Sequence, residues 1–296
     1  MDHRPITDWI DGQHWLETTA DVLQPAVKGF FDALGPARRG IKNFLHGTWL
    51  GHPLHPVLTD IPLGAWTATL LLDAMEEDPD RGRDSGLARA ADASLALGLV
   101  GAVGAAITGL TDWGETVARP RRLGVAHAAL NSAATLLFAA SLGARGRGRR
   151  AAGRRLAVTG YLATIAAAYL GGDLAYHEQI GVDHSSGREL PEKFTAVAAE
   201  SALAEGKPKR VRFKETPLLL VKRGDRIYAL AETCAHLGGP LSEGKIEGDT
   251  VVCPWHGSRF ELESGEVVDG PSAFPQPCLK TRIRDGQVEV RVRTRT

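Results

Sequence analysis

The sequence predicts a multidomain membrane protein: a four-span α-helical transmembrane bundle followed by an all-β domain that carries a cysteine–histidine centre. Three observations lead there. Residues 58–75, 90–110, 123–142 and 156–174 are apolar runs, each near the ~20 residues that cross a hydrocarbon core. From Phe194 onward short apolar runs alternate with turn residues. Within that part stand two short mixed motifs, Cys234-Ala-His236 and Cys253-Pro-Trp-His256, with sixteen residues between them.

At 296 residues the chain is long enough for about two domains. Formal net charge is zero, so nothing draws it to nucleic acid. Of three cysteines, two belong to the motifs and Cys278 stands alone. No structural disulfide pair is left within the chain, and Cys278 reads as a small buried apolar residue. The first fifty residues show no continuous apolar core of a secretory signal. Arg38-Arg39 has the look of a twin-arginine start, but the apolar segment begins too far downstream.

Residues 1–56 form an amphipathic N-terminal segment. In 13–34, Leu16, Val22, Leu23, Val27, Phe30 and Phe31 recur at near-helical spacing, with Glu17, Asp21 and Gln24 between them. Pro25 is expected to kink this helix, which either lies at a membrane interface or covers the bundle. Residues 57–180 make the four-helix domain. The second apolar run holds only Asp92 as an ionisable group and the third only His127. A soluble helix needs a polar stripe along its length, which these lack, and Gly98, Gly101 and Gly104 suit close helix packing in lipid. Residues 181–191 read as a polar linker. In 192–296, strands are expected at 216–221, 226–230 and 287–292, with turns at Gly224-Asp225, Gly248-Asp249, Ser264-Gly265 and Asp285-Gly286.

Two thiolates and two imidazoles could hold one tetrahedral zinc. They could equally hold a [2Fe–2S] cluster in which histidines replace two cysteines on one iron, or form an empty structural site. Zinc sites usually pair Cys with Cys and His with His along the chain; here each loop offers one of each. The flanks, Cys234-Ala-His236-Leu-Gly-Gly-Pro and Cys253-Pro-Trp-His256-Gly-Ser, closely resemble the Rieske family over residues 192–296. That resemblance includes the proline-rich 270–277 segment which in the family covers the cluster.

The resemblance implies that Cys234 and Cys253 hold the inner iron and His236 and His256 the outer one, with Leu237, Gly257, Ser258 and Phe260 around them. It also implies solvent-facing second nitrogens on both imidazoles and so a pH-dependent electron transfer. Respiratory members carry an extra cysteine in each loop, joined as a disulfide; here those positions read Gly239 and Trp255. Ser258 keeps a hydroxyl for a cluster sulfur, whereas Phe260 replaces a tyrosine donor, which should lower the potential below the quinol-oxidising class. A Rieske oxygenase needs a further iron with two histidines and a carboxylate. Only forty residues follow His256, without a histidine.

The bundle resembles a family of largely uncharacterised bacterial four-helix membrane domains over residues 46–184. The matching stretches are His46-Gly-Thr-Trp-Leu-Gly-His52-Pro-Leu-His55-Pro, Asp60-Ile-Pro-Leu-Gly64, Thr108-Gly-Leu-Thr-Asp112-Trp and Gly171-Gly-Asp-Leu-Ala-Tyr176-His177. Threading four spans brings His52, His55, Asp60, Asp112, His127, Asp173 and His177 to one membrane side, with Tyr169, Asp173 and His177 on one helical stripe. Such groups either cap helix ends and pair with each other or mark a site: a haem b, a metal, a quinone headgroup or a proton route.

The expected function is a membrane-tethered one-electron carrier with one [2Fe–2S] cluster, possessing no catalytic residues of its own. It would work with a redox partner protein or quinone in a bacterial inner membrane, with the lipid bilayer around the bundle. A redox-sensing scaffold and an electron-transfer subunit of a reductase or oxygenase system are the rivals. Lysines and arginines are nearly balanced across the membrane, so the positive-inside rule decides nothing. Cytosolic cluster assembly and the missing disulfide favour a cytoplasmic β-domain.

Overall fold

The computed structural model describes residues 5–76 and 85–293. Arg81 and Arg83, part of the charge balance above, lie outside the described residues, as do the ends of the expected first and last domains. The chain forms two compact units: Met1–Gly35 with Leu54–Ile180, and Pro36–Pro53 with Gly181–Thr296. The expected N-terminal segment is thus divided between the two, and residues 181–191 group with the β part. In chain order the helices are α1 (Pro5–Asp11), α2 (His14–Ala33), α3 (Arg38–His46), α4 (Leu54–Met75), α5 (Gly86–Trp113), α6 (Ala118–Gly146) and α7 (Arg150–Tyr176).

In the helical unit α2 runs unbroken through Pro25. Leu16, Ala20 and Phe31, one face of the helix, are buried. The neighbouring polar face is held by arginines at the start of α6. Arg121 donates to Glu17 at 2.5 Å, Asp21 at 2.7 Å and Gln24 at 2.6 Å, and Arg122 donates to Asp11 at 2.7 Å. Half-exposed ion pairs contribute ~0.2–1 kcal/mol each, while burying Leu16 alone is worth about 1.5–3 kcal/mol. Apolar burial therefore docks the helix and the arginines set its register. Trp15, Val22 and Phe30, on another face, remain exposed, so the helix covers the bundle and still offers an apolar side.

The four long helices form a doubled hairpin. In the first hairpin, His55 Nδ1 on α4 bonds the Ala105 carbonyl on α5 at 2.9 Å; in the second, His127 Nδ1 on α6 bonds the Ala167 carbonyl on α7 at 2.9 Å. Thr69 donates to the Ala91 carbonyl at 3.4 Å, and Ser141 to that of Gly153 at 2.7 Å. Trp66 lies against Gly98 and Phe138 against Gly160, where any Cβ would collide with the ring or crowd it. One constant displacement relates the α4 positions to those on α6, and another relates α5 to α7. The halves meet where Trp66 and Phe138 stack at 4.0 Å and where Arg145 pairs with Asp73.

Among the described residues α5 and α6 are long and apolar enough to cross a membrane, with 28% of each apolar window buried. α4 and α7, the other two expected spans, fall below that mark. α4 carries Asp60 and Asp73, and α7 opens with Arg150, Arg154 and Arg155.

The second unit holds two antiparallel sheets. One has the order β1 (Thr195–Ala199), β10 (Gln287–Val292), β9 (Cys278–Arg284), β4 (Arg226–Ala231), β3 (Thr216–Arg223), β2 (Pro208–Phe213). The other runs β5 (Lys245–Glu247), β6 (Thr250–Val252), β7 (Arg259–Glu261), β8 (Val267–Asp269). β3 lies between β2 and β4 and is apolar on both faces. Leu219 and Val221 feed a core that contains Cys234, Cys253 and Phe260, and Leu218 and Leu220 feed a second with Val288 and Val290. The expected turns at Gly224, Gly248, Gly265 and Gly286 all take positive φ.

Candidate metal centre

The two Cys/His loops are built alike. The first follows β4 and the second joins β6 to β7. The Cys234 amide donates to the Gly239 carbonyl at 2.8 Å and the Gly238 amide returns to Cys234 at 2.9 Å. In the second loop the Cys253 amide donates to Ser258 at 2.8 Å and the Gly257 amide returns at 3.1 Å. Gly238 and Gly257 close these turns at φ 78 and 76, a left-handed conformation that costs other residues energy. The matching turns present both cysteines inward and bring the His236 and His256 rings to 5.0 Å, edge to face.

Both sulfurs are buried. A hydrogen bond from the Cys234 thiol to Cys253 holds Cys234 well above its ordinary pKa and draws Cys253 down to about 7. The pair shares a proton that metal binding displaces. His236 Nδ1 is buried and has no hydrogen-bond partner, a costly state for a ring nitrogen unless something ligates it. Among the described residues no three His, Cys, Asp or Glu side chains are grouped around one point. Two buried sulfurs beside an orphaned imidazole nitrogen fit a group with more than one metal atom.

Burial, followed by the nearby His256, His46, His184 and Lys42, holds the His236 imidazole well below its ordinary value. The folded chain keeps this ring neutral while the unfolded chain takes up a proton near 6.5. Stability contributed by the ring is therefore present above about pH 6.5 and is lost as pH falls toward the folded value. Iron-free protein should show a falling denaturation midpoint as pH drops below about 6.5, and His236→Gln should flatten that dependence. An unchanged slope in the variant would contradict the assignment.

The surroundings explain the absent disulfide. Position 239 has no room for a side chain: a Cβ would sit 2.9 Å from the Cys253 sulfur and 3.1 Å from the Trp255 ring. Glycine and tryptophan pack where two cysteines would otherwise bond. Ser258 is fully buried, and its oxygen accepts the Ser272 amide at 3.1 Å, leaving the hydroxyl hydrogen to donate elsewhere. Phe260 is also fully buried in the core that contains both cysteines. Leu237 is half-buried in the first loop. Cys278, expected to be buried, is half-buried on β9, with its thiol 3.0 Å from the Glu263 carbonyl.

Two supports had no signature in the sequence. Gln276 is fully buried and makes three bonds to the first loop: Nε2 donates to Ala231 at 2.7 Å and Thr233 at 2.6 Å, and Oε1 accepts from Ala235 at 3.0 Å. Helix α3 holds the end of β8. Arg39 and Asn43 donate to Asp269 at 2.6 and 2.9 Å, and Asn43 accepts the Gly270 amide at 3.0 Å. Gly270 opens the proline-rich cover.

Among the described residues no three members of the expected bundle constellation are grouped to hold one metal ion. His52 is exposed and belongs to the β-containing unit. Asp60, Tyr169 and His177 are exposed, and His177 lies 3.7 Å from Glu178. His55 and His127 face neighbouring helices, but each spends Nδ1 on a backbone carbonyl, and His127 Nε2 meets the Asn131 amide at 3.1 Å. These two histidines pin helix to helix. Asp112 and Asp173 are half-buried at the ends of α5 and α7.

Comparison with known proteins agrees with this arrangement. Residues 193–281 match the Rieske [2Fe-2S] domain, and residues 51–184 match the family described as Predicted membrane protein (DUF2231). Ferredoxin CarAc of Metapseudomonas resinovorans is 35% identical over 95 residues, 32% of this chain and 89% of the ferredoxin. The anthranilate 1,2-dioxygenase ferredoxin subunit of Burkholderia cepacia is 35% identical over 78 residues, 26% of this chain and 72% of the subunit. Human Apoptosis-inducing factor 3 is 32% identical over 96 residues, 32% of this chain but 16% of that protein.

Proposed function

Because the chain belongs to the Rieske [2Fe–2S] family, we propose that it is a membrane-tethered one-electron carrier whose cluster is held by Cys234, His236, Cys253 and His256. The observation that carries this reading is the buried, partnerless His236 Nδ1 beside two buried sulfurs in matched loops. A [2Fe–2S] cluster held there supplies reversible one-electron chemistry. The chain's part is to keep the thiols and imidazoles inward, to exclude water with Phe260 and the proline-rich cover, and to set the potential through Ser258.

Phe260 and Ser258 give opposite tests. Phe260→Tyr adds a donor and should raise the midpoint potential, and Ser258→Ala should lower it. Each shift should be on the order of 60 mV, the one-electron equivalent of about 1.4 kcal/mol. Redox titration with no shift in either variant would remove both side chains from the cluster's surroundings.

The bundle is read as the anchor, a multi-pass domain of four spans formed by α4–α7. Large apolar side chains point outward on all four, among them Leu71 on α4, Val100 on α5, Leu136 on α6 and Leu162 on α7. A water-facing bundle would not leave such a belt bare. In domain terms, residues 54–180 with α1 and α2 anchor the protein, and residues 181–296 with 36–53 carry the cluster, on the cytoplasmic side of a bacterial inner membrane. A haem, the remaining expectation for the bundle, would take the Nε2 atoms of His55 and His127, and that of His127 would have to leave Asn131. An optical spectrum without a Soret band would exclude it. A quinone headgroup has no comparable support.

Trp255, 57% exposed and next to His256, is the natural contact for a redox partner, since aromatic residues anchor interfaces. Relatives named as ferredoxin subunits of dioxygenases point to a reductase or oxygenase-type partner. The test joins two measurements. The protein should stay with membranes through an alkaline wash, and its cluster should be reduced by a ferredoxin reductase and reoxidised by an acceptor at turnover rates. Redox-dependent partner binding without electron flux would make it a sensor, and release by the wash would remove the anchor.

A further inference from the structure

The helical unit carries a buried charge cluster that electron transfer does not use. It lies where α4 and α6 end and α5 and α7 begin. Among the described residues three guanidinium groups, Arg145, Arg150 and Arg154, face two carboxylates, Asp73 and Asp92. Arg145 is satisfied: Nε donates to Ser141 at 3.1 Å, Nη1 to Asp73 and Asp92 at 2.9 and 3.2 Å, and Nη2 to Asp73. Arg150, with 4% of its side chain exposed, donates to Asp92 at 3.2 Å and to the Ala88 carbonyl at 2.9 Å, but its Nε–H has no acceptor.

Arg154 is less satisfied still. Nη1 reaches the Glu76 carbonyl at 3.4 Å, and the Glu76 carboxylate is turned to Ser85. Nε and Nη2, the two parallel donors on the side edge of the guanidinium, are buried without a hydrogen bond. Among the described residues the nearest carboxylate oxygen, on Asp73, is 3.6 Å from Nε, beyond bonding distance. That edge is the fork which matches two oxygens of a phosphate or carboxylate. Arg150 and Arg154 are one turn apart on α7, and both lie within 3.8 Å of the same Asp73 oxygen. Arg150 Nε is a further buried donor without an acceptor, one helical turn from that fork. The N-termini of α5 and α7 stand at this end as well and favour an anion.

We propose that Arg150 and Arg154 form a receptor for one phosphate group, presented by the headgroup of an anionic phospholipid. The lipid source rests on the reading of the bundle as membrane-spanning, which puts helix ends at headgroup depth; the phosphate chemistry does not.

The test uses the full chain, delipidated in detergent. Phosphatidylglycerol retention is measured by native mass spectrometry and stabilisation by thermal denaturation, with inorganic phosphate as a second arm. Wild type should retain phosphatidylglycerol in preference to phosphatidylcholine. Arg154→Gln should weaken retention about tenfold or more, and Arg154→Lys should also weaken it, because an ammonium cannot fill the fork. Arg147→Gln, on the exposed surface nearby, should leave it unchanged. Stabilisation by inorganic phosphate that depends on Arg154, without lipid preference, would support the receptor and assign it a soluble ligand. Equal retention by wild type and both Arg154 variants, with no phosphate effect, would overturn the proposal. Partition of the protein into membranes, measured alongside, shows separately whether the anchoring role stands.

Discussion

Gln276→Ala is expected to empty the cluster site while leaving all four ligands in place. The Gln276 side chain ties the proline-rich cover to the backbone of residues 231, 233 and 235 from a single buried group. Removing it leaves two carbonyls and one amide buried without partners. At about 1–3 kcal/mol for each unsatisfied group, the cost is a large share of the ~5–15 kcal/mol that holds a domain together. Cys234 and His236 lie in the loop so released. Visible absorbance per mole of protein should fall severalfold, while far-ultraviolet circular dichroism at low temperature stays near wild type. Gln276→Glu, which keeps the acceptor and loses both donations, should also lose cluster. A variant that holds a full complement of iron would show that the loop is shaped without Gln276.

The second large effect is expected at the other unit. Arg145 has no exposed side-chain surface and pairs with both Asp73 and Asp92. Arg145→Met leaves buried Asp73 without a hydrogen bond and Asp92 with Arg150 alone, and should destabilise the helices by about 3–5 kcal/mol. Asp73→Leu combined with Arg145→Met should recover most of that loss, because removing a buried pair together is commonly near neutral. Helical circular dichroism during denaturation in detergent reads both variants. If the double variant is as unstable as the single one, the pair contributes in a different way from the one described.

The four proposed ligands stand out in the sequence because ligand chemistry is written locally: a cysteine, a histidine two or three residues on, and a glycine that closes the turn. Gln276 and Asn43 do not, since each acts by hydrogen bonds on backbone or side chain far along the chain, 45 residues away for Ala231 and 226 for Asp269. No periodicity marks such a partner. The strands and the long helices followed from apolar pattern, but α3 did not stand out from the segment before the bundle, and its attachment to the β unit depends on Arg39 and Asn43. His55 and His127 drew attention as ionisable groups in apolar runs. Their Nδ1 atoms turned out to be committed to Ala105 and Ala167, bonds that residue type alone does not foretell.

The doubled hairpin was hidden for a related reason. Its paired positions keep chemistry more than identity: His55 with His127, Trp66 with Phe138, Thr69 with Ser141. At the seam, Asp73 and Arg145 are complementary rather than alike. Two identical halves would set like charges against each other there, and the aspartate–arginine exchange favours pairing of one half with the other over pairing with itself.

Electron paramagnetic resonance of the reduced full-length protein, purified anaerobically in detergent, tests the central claim most directly. A mixed-valence signal of low average g, with two irons per chain, is the predicted result, and it should vanish in His236→Ala. Colourless protein that contains zinc and gives no such signal would contradict it.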